Sequence, residues 1–337
     1  WAGWLWGCWP GAFCAGGGRG CVGRRGEAFS PIGGGGGKGA AAGMRTIEVS
    51  FHVKMRDHTT IGIGGAADRM AFPRSPAEVR EVIAAERRAG RPVHFLGAGS
   101  NLLVADGGVP GTVLCTKRHL AKVVFLSDGS VVAEAGVMIP RLAVLCALSG
   151  LSGMEPLSGI PGTVGGALTM NAGAYGRRIG ELTEWVEVAD GSGEIHRVEA
   201  RAIRFGYREV EYPVRGIVVR AGFRFAEGTR ESVFEGMRQF NERRRASQPW
   251  GEKTFGSTFR NPSGPEGAAK LLERAGMKGQ CEGDACFSEK HANFIVNRGR
   301  ATAADVRRLM GRGRQAVQAA TGIRLVSEVK MWGEFDA

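Results

Sequence analysis

The sequence predicts an α+β fold, on three observations. Strand-like runs follow one another closely at 93–97, 112–115, 122–126 and 130–135, separated by turn residues. Helical stretches sit at the periphery of these clusters and do not alternate with single strands, which disfavours a doubly wound sheet. Two glycine-rich turns also lack the third glycine and following helix of a dinucleotide fingerprint, which disfavours a Rossmann domain.

The 337 residues suffice for two or three domains, and 43% hydrophobic with 23% charged residues is the balance of a globular protein. No apolar run reaches the roughly 18 residues of a membrane span, so membrane insertion is not expected. The net charge is +12, of which residues 1–43 supply +3 (Arg19, Arg24, Arg25 and Lys38 against Glu27), leaving +9 from Met44 onward. That charge attracts small anions, but no basic stripe is interleaved with aromatics, and no nucleic-acid partner is expected. The seven cysteines include no Cys-x-x-Cys spacing and do not read as a disulfide framework. A reducing cytoplasm without a metal centre is the expectation.

Residues 1–43, with Trp1, Trp4, Trp6, Trp9 and five consecutive glycines from Gly33, lack periodicity and the order of regions of a signal peptide. They are expected to be disordered and non-native, with the true start at Met44. A first lobe is expected over 50–116. Ser75-Pro76-Ala77-Glu78 is a capping box with proline at the first helical position, and the helix it starts aligns Val79, Val82 and Ile83 before Gly90. A second lobe follows over 117–226, with a helix from Ile139 to Ser149 and strands at 184–189, 194–199 and 217–225. The third lobe, 227–337, is expected to open with a helix from Glu231 to Arg245. Helices near 268–275 and 302–320, a strand at 293–297 and a closing strand from Arg324 to Met331 complete it.

The functional signal lies in Gly159-Ile160-Pro161-Gly162-Thr163-Val164-Gly165-Gly166 and the nearby Met170-Asn171-Ala172-Gly173-Ala174-Tyr175-Gly176. Glycines let main-chain N–H groups approach a ligand closely, and stacked turns of this kind form nests suited to a pyrophosphate. Such a block is expected to be neither core packing nor regular helix. An isolated block is equally compatible with a surface loop. The second turn, Leu96-Gly97-Ala98-Gly99-Ser100-Asn101-Leu102, tips the reading toward a nucleotide held between strands.

Together with His58-Thr59-Thr60, Gly64-Gly65, Tyr207-Arg208-Glu209, Gly256-Ser257-Thr258-Phe259-Arg260-Asn261-Pro262, the run from Ala268 to Gly276, Ser288 to Phe294 and Glu328-Val329, these turns resemble the UDP-N-acetylenolpyruvoylglucosamine reductase (UDP-N-acetylmuramate dehydrogenase) family. The resemblance runs in order from Arg56 to Gly333. It implies a two-lobed FAD-binding domain of the vanillyl-alcohol-oxidase type and a C-terminal α+β substrate lobe. The short interval from Arg208 to Ser257 resembles the family's second type, which lacks a tyrosine-bearing loop. The implied reaction has NADPH reduce a noncovalent FAD, which then reduces an enolpyruvyl ether to a lactyl ether in peptidoglycan precursor synthesis. No protein partner is implied. The flavin contacts it implies are Gly97, Ala98, Gly99, Ser100, Asn101 and Leu102 in one turn, with Gly159, Ile160, Pro161, Gly162, Gly165, Gly166, Asn171, Ala172 and Gly173 in the other. Ile61, Gly62, Val210, Val326 and Ser327 depart from the family pattern.

The chemistry explains the implied catalytic residues. Hydride addition to an alkene beside a carboxylate builds enolate charge, which a fixed cation stabilises. Arg208 pairs with a carboxylate through its planar fork. Ser257 is the proton donor to the other carbon. Glu328, among Leu325, Val329 and Met331, is expected to be partly buried with a raised pKa, so that it donates a hydrogen bond or relays the proton. His291 reads equally as a diphosphate contact and as structural, Lys270 as solvated, and the proximity of Cys281 and Cys286 as no metal site. A flavin oxidase of the same superfamily and a noncatalytic flavin or UDP-sugar module are the competing readings. No His or Cys lies in the glycine turns to tether a flavin, and a binding module has no need of Arg208, Ser257 and Glu328 together.

Overall fold

A computed structural model describes residues 47–335; the expectations for residues 1–43 and the start at Met44 lie outside them. Near the start, strand 48–54 pairs antiparallel with 66–72, which continues parallel to 109–115 and then 93–96. Helix α1 (Pro76–Arg88) begins where expected. The Ser75 hydroxyl accepts from the Glu78 N–H at 3.2 Å, but Glu78 reaches back to the Arg74 N–H and not to the cap residue. Val79, Val82 and Ile83 are buried in one cluster with Ala189 and Val219 of the next sheet. One helix thus cements two sheets.

That next sheet is antiparallel, in the order 195–199, 183–190, 216–224, 130–134 and 123–125. Helices α2 (Ile139–Leu148) and α3 (Val164–Thr169) bury Leu142, Cys146, Val164 and Leu168 in its core. Helix α3 corrects the expectation for the glycine block, which does contain a helical turn and does pack in the core. Thr163 caps it by accepting from the Gly166 N–H, and Gly165 fits because a Cβ there would stand 2.9 Å from Ala135 Cβ.

Helix α4 (Arg230–Ser247) was expected to open the third lobe. Its buried Val233 and Met237 instead belong to the core of the second. The third lobe's own sheet runs 254–257, 294–297, 285–287 and 281–282, all antiparallel. Helices α5 (Ala268–Arg274) and α6 (Ala303–Thr321) pack on it, and Ile61, Ile63 and Leu103 of the first lobe share its core. Full burial of Ile61 accounts for its apolar side chain. Asp106 accepts from the Ala303 and Ala304 N–H groups at 2.9 and 3.0 Å, docking the first lobe on the positive end of α6.

Two further corrections concern the end of the chain and the cysteines. The closing strand covers only Lys330–Trp332, parallel to 102–104. Before it, Val326 O accepts from Arg260 N–H and Glu328 N–H donates to Thr258 O, so the segment changes partners as it passes from the third lobe to the first. A single ladder cannot serve both. Cys281 and Cys286 face each other across a hairpin and form a disulfide, with Cα atoms 4.1 Å apart. A spacing of five residues across a tight turn made a directly opposed pair. Cys115 and Cys146 are buried free thiols. Among the described residues no helix is long and apolar enough to cross a membrane.

Buried Asn293 fixes the backbone at Phe259, accepting from its N–H at 2.9 Å and donating to its carbonyl at 2.8 Å. Asn293→Ala strands two buried backbone groups at about 1–3 kcal/mol each. The expected loss is about 2–5 kcal/mol in urea unfolding; a loss below 1 kcal/mol would show that this clamp is not needed.

Candidate active site

The first glycine turn approaches the second closely because Gly97 leaves room for the Thr163 side chain. A Cβ on Gly97 would stand 2.4 Å from Thr163 Oγ1, and one on Gly99, at φ +66°, would meet His58 O at 2.1 Å. The second turn is pinned from behind: Ile139 N–H donates to Gly162 O, Val164 N–H to Val137 O and Gly165 N–H to Ala135 O. Between the turns runs a cleft of about 710 Å³. Its walls include Gly97, Ala98, Gly99, Ser100, Asn101, Leu102, Ile160, Pro161, Gly162, Gly166, Ala172 and Gly173, and also Arg208, Ser257 and Glu328. A smaller hollow of about 530 Å³ beside Tyr212 adjoins it at Thr169 and Gly216, but holds none of these three side chains.

Gly159, Gly165 and Asn171 do not line the cleft. Gly159 leaves room for Asn241 and Arg244, and Gly165 for Ala135. Asn171 is buried with φ +41°, donates to Gly206 O at 2.8 Å and accepts from Gly180 N–H at 3.2 Å. It therefore anchors the hairpin that carries Arg208. Asn101 faces the cleft but also spends its amide structurally, donating to Glu328 O at 3.1 Å.

Arg208 and Tyr207 form the two-residue turn between strands 204–206 and 209–211. Arg208 takes φ +57°, a region that costs a side-chain-bearing residue about 1–2 kcal/mol and that hairpins usually fill with Gly or Asn. Its Nε lies 2.6 Å from Glu328 Oε1, with 20% and 11% of the two side chains exposed. The contact is an ion pair, since Nε makes no aligned hydrogen bond. Burial pushes the Glu328 carboxyl above its ordinary range, against the opposing pull of Arg208 and Arg260. This matches the direction the sequence implied. Ser257 ends strand 254–257, where an irregularity in pairing and Gly256 at φ +84° re-aim the chain into the cleft.

Tyr175 of the glycine block also lines the cleft, as do Arg244, Gln248 and Lys330, which escaped the sequence reading. Arg244 donates from Nε to Gln248, while its buried Nη1 has no hydrogen-bond partner. Burial lowers its pKa, and Arg208 lowers it further. Its signal was available in α4, where the buried stripe Val233–Met237 continues as Asn241, Arg244 and Gln248, polar residues at core spacing. His291 is absent from the cleft lining, and burial lowers its pKa. An exposed or half-exposed trio, Asp190, Glu194 and His196, clusters away from the cleft.

Comparison with known proteins agrees with this geometry. Residues 67–199 match the family model of an FAD binding domain, and 248–332 that of the UDP-N-acetylenolpyruvoylglucosamine reductase C-terminal domain. Similar over their length are the UDP-N-acetylenolpyruvoylglucosamine reductases of Moorella thermoacetica (42% identity, 86% of this chain and 94% of that one) and Nitrosococcus oceani (43%, 84% and 94%). The chain belongs to the UDP-N-acetylenolpyruvoylglucosamine reductase family. The crystal structure of the Thermus caldophilus reductase superposes with a TM-score of 0.72 at 35% identity, covering 85% of this chain and 99% of that one. Family membership makes the protein an FAD-dependent oxidoreductase of α+β fold, and the cleft fits that cofactor. Part of its wall is glycine backbone, and a Cβ on Gly162 would fit without a clash, in ordinary contact with Ile160 and Ser100 at 3.7 and 3.8 Å.

The two glycines therefore separate. Gly162→Ala is expected to keep the melting temperature of the flavin-free protein and to lose most bound flavin, read by absorbance after gel filtration. Gly165→Ala is expected to lower that melting temperature through the Ala135 clash. Full flavin retention in Gly162→Ala would remove the turn from the cofactor cradle.

Proposed function

We propose that the protein reduces the enolpyruvyl ether of UDP-N-acetylglucosamine enolpyruvate to the lactyl ether of UDP-N-acetylmuramate, using NADPH, in the cytoplasm. The observation that carries this reading is the convergence of Arg208, Ser257 and Glu328, from three separate stretches of chain, on the glycine-walled cleft. Noncovalent FAD, held by the 97–102 and 160–166 turns and Ala172-Gly173, supplies the hydride once NADPH has reduced it. Arg208 receives the substrate carboxylate and stabilises the enolate charge that grows beside it. Ser257 breaks its O–H bond to protonate the carbon next to the carboxylate, and regains a proton from the cleft.

Glu328 follows from the charge balance. When the substrate carboxylate claims Arg208, Glu328 loses its nearest counter-charge, which adds to burial in favouring its protonated form. In that form Glu328 donates a hydrogen bond to the substrate carboxylate. The competing oxidase and binding-module readings leave this pairing without a task.

Ser257→Ala is expected to leave reduction of the flavin by NADPH nearly intact. Reoxidation by the enolpyruvyl sugar nucleotide should slow ~10²- to 10⁴-fold, the usual contribution of a positioned general acid. Stopped-flow absorbance at the flavin band reads each half separately. Equal slowing of both halves would assign Ser257 a structural role instead.

A further inference from the structure

We propose that Arg260 is a positioning residue of this site, gripping the backbone of Arg208 from the Ser257 segment and balancing the charge around Glu328. The proposal rests on the reduction described above. Arg260 stands three residues after Ser257, and its own N–H is fixed to Val326 O at 2.9 Å. Its side chain turns back across the lobes, and Nη2 donates to Arg208 O at 3.3 Å. The next residue repeats the grip, Asn261 N–H donating to Tyr207 Oη at 3.3 Å. Both residues of the Tyr207-Arg208 turn are thus held by the segment that carries the proton donor.

This grip answers a physical need. Arg208 sits in a left-handed conformation that persists only where the surroundings over-determine it. Asn171 holds the hairpin before the turn, through Gly206 O, and Arg260 holds it after. Arg260 also carries an unspent charge. Its Nε is buried without a hydrogen-bond partner, and among the described residues no carboxylate forms a close ion pair with it. It does not line the cleft, so it acts through Arg208 and Glu328.

The charged groups that act on Glu328 are Arg208 from the hairpin and Arg260 from the 254–260 segment; Lys330 on its own segment and Arg244 of α4 line the same cleft. Arg208 and Arg260 both pull the Glu328 pKa down against burial. Removing the Arg260 charge therefore raises it. Because the protonated form is the working one, the rate of flavin reoxidation should then hold to a higher pH before it falls.

The test uses flavin-loaded full-length protein, with UDP-N-acetylglucosamine enolpyruvate as oxidant and the pH profile of each half-reaction as readout. Arg260→Gln keeps a donor but loses the charge, and should move the falling alkaline limb of reoxidation to higher pH. Arg260→Lys keeps the charge and should leave the limb at its wild-type position, and both variants should reduce with NADPH at the wild-type rate. An unmoved limb in Arg260→Gln, or equal shifts in both variants, would overturn the proposal. Failure of the wild-type protein to be reoxidised would instead overturn the reaction itself.

Discussion

The structure depends on one crossing of the chain, where residues 326–332 leave the third lobe for the first. Glu328 sits at the crossing. Its N–H donates to Thr258 O, its carbonyl accepts from Asn101, and Lys330 N–H returns a bond to Asn101 O. Residues 101, 258 and 328 are thereby tied by two main-chain hydrogen bonds and one from the Asn101 side chain to the main chain. The 97–102 turn, the serine and the carboxylate are set at fixed spacing by these bonds. Thr60 adds a second tie, donating from its hydroxyl to Thr254 O at 2.6 Å.

Onto this frame the second lobe brings the cation. A buried ion pair is not held for stability, since desolvation of both charges offsets much of their attraction. The backbone strain at Arg208 adds a further cost. Both are tolerable if the pair is an unfinished arrangement that a substrate carboxylate completes. Arg244, with a buried and unpartnered Nη1, adds to the same unbalanced positive field. The cleft is built to receive negative charge.

Much of this was legible in the sequence, wherever a signal was local. The cap at Ser75, the strands of the second lobe and both glycine turns follow from nearest-neighbour chemistry. What escaped depends on partners remote in the chain. Gly159, Gly165 and Asn171 look like ligand-facing residues by type, but their neighbours Arg244, Ala135 and Gly206 turn them to packing and anchoring. Helix α4 was assigned to the wrong lobe because its amphipathic stripe fits either core. The last strand was overdrawn because alternation cannot report a change of pairing partner at Glu328. The Cys281–Cys286 bond needed the hairpin register, and a six-residue helix inside the glycine block needed the Thr163 cap to be seen in place.

The most direct test of the account is a structure of the FAD-loaded protein with the enolpyruvyl sugar nucleotide. The account predicts the flavin pyrophosphate against the 97–101 and 160–166 backbone, and the substrate carboxylate paired with Arg208 and Glu328. Ser257 Oγ should lie about 3 Å from the carbon next to that carboxylate, on the alkene face turned away from the flavin. A flavin bound outside this cleft, or a substrate carboxylate that leaves Arg208 paired only with Glu328, would contradict it.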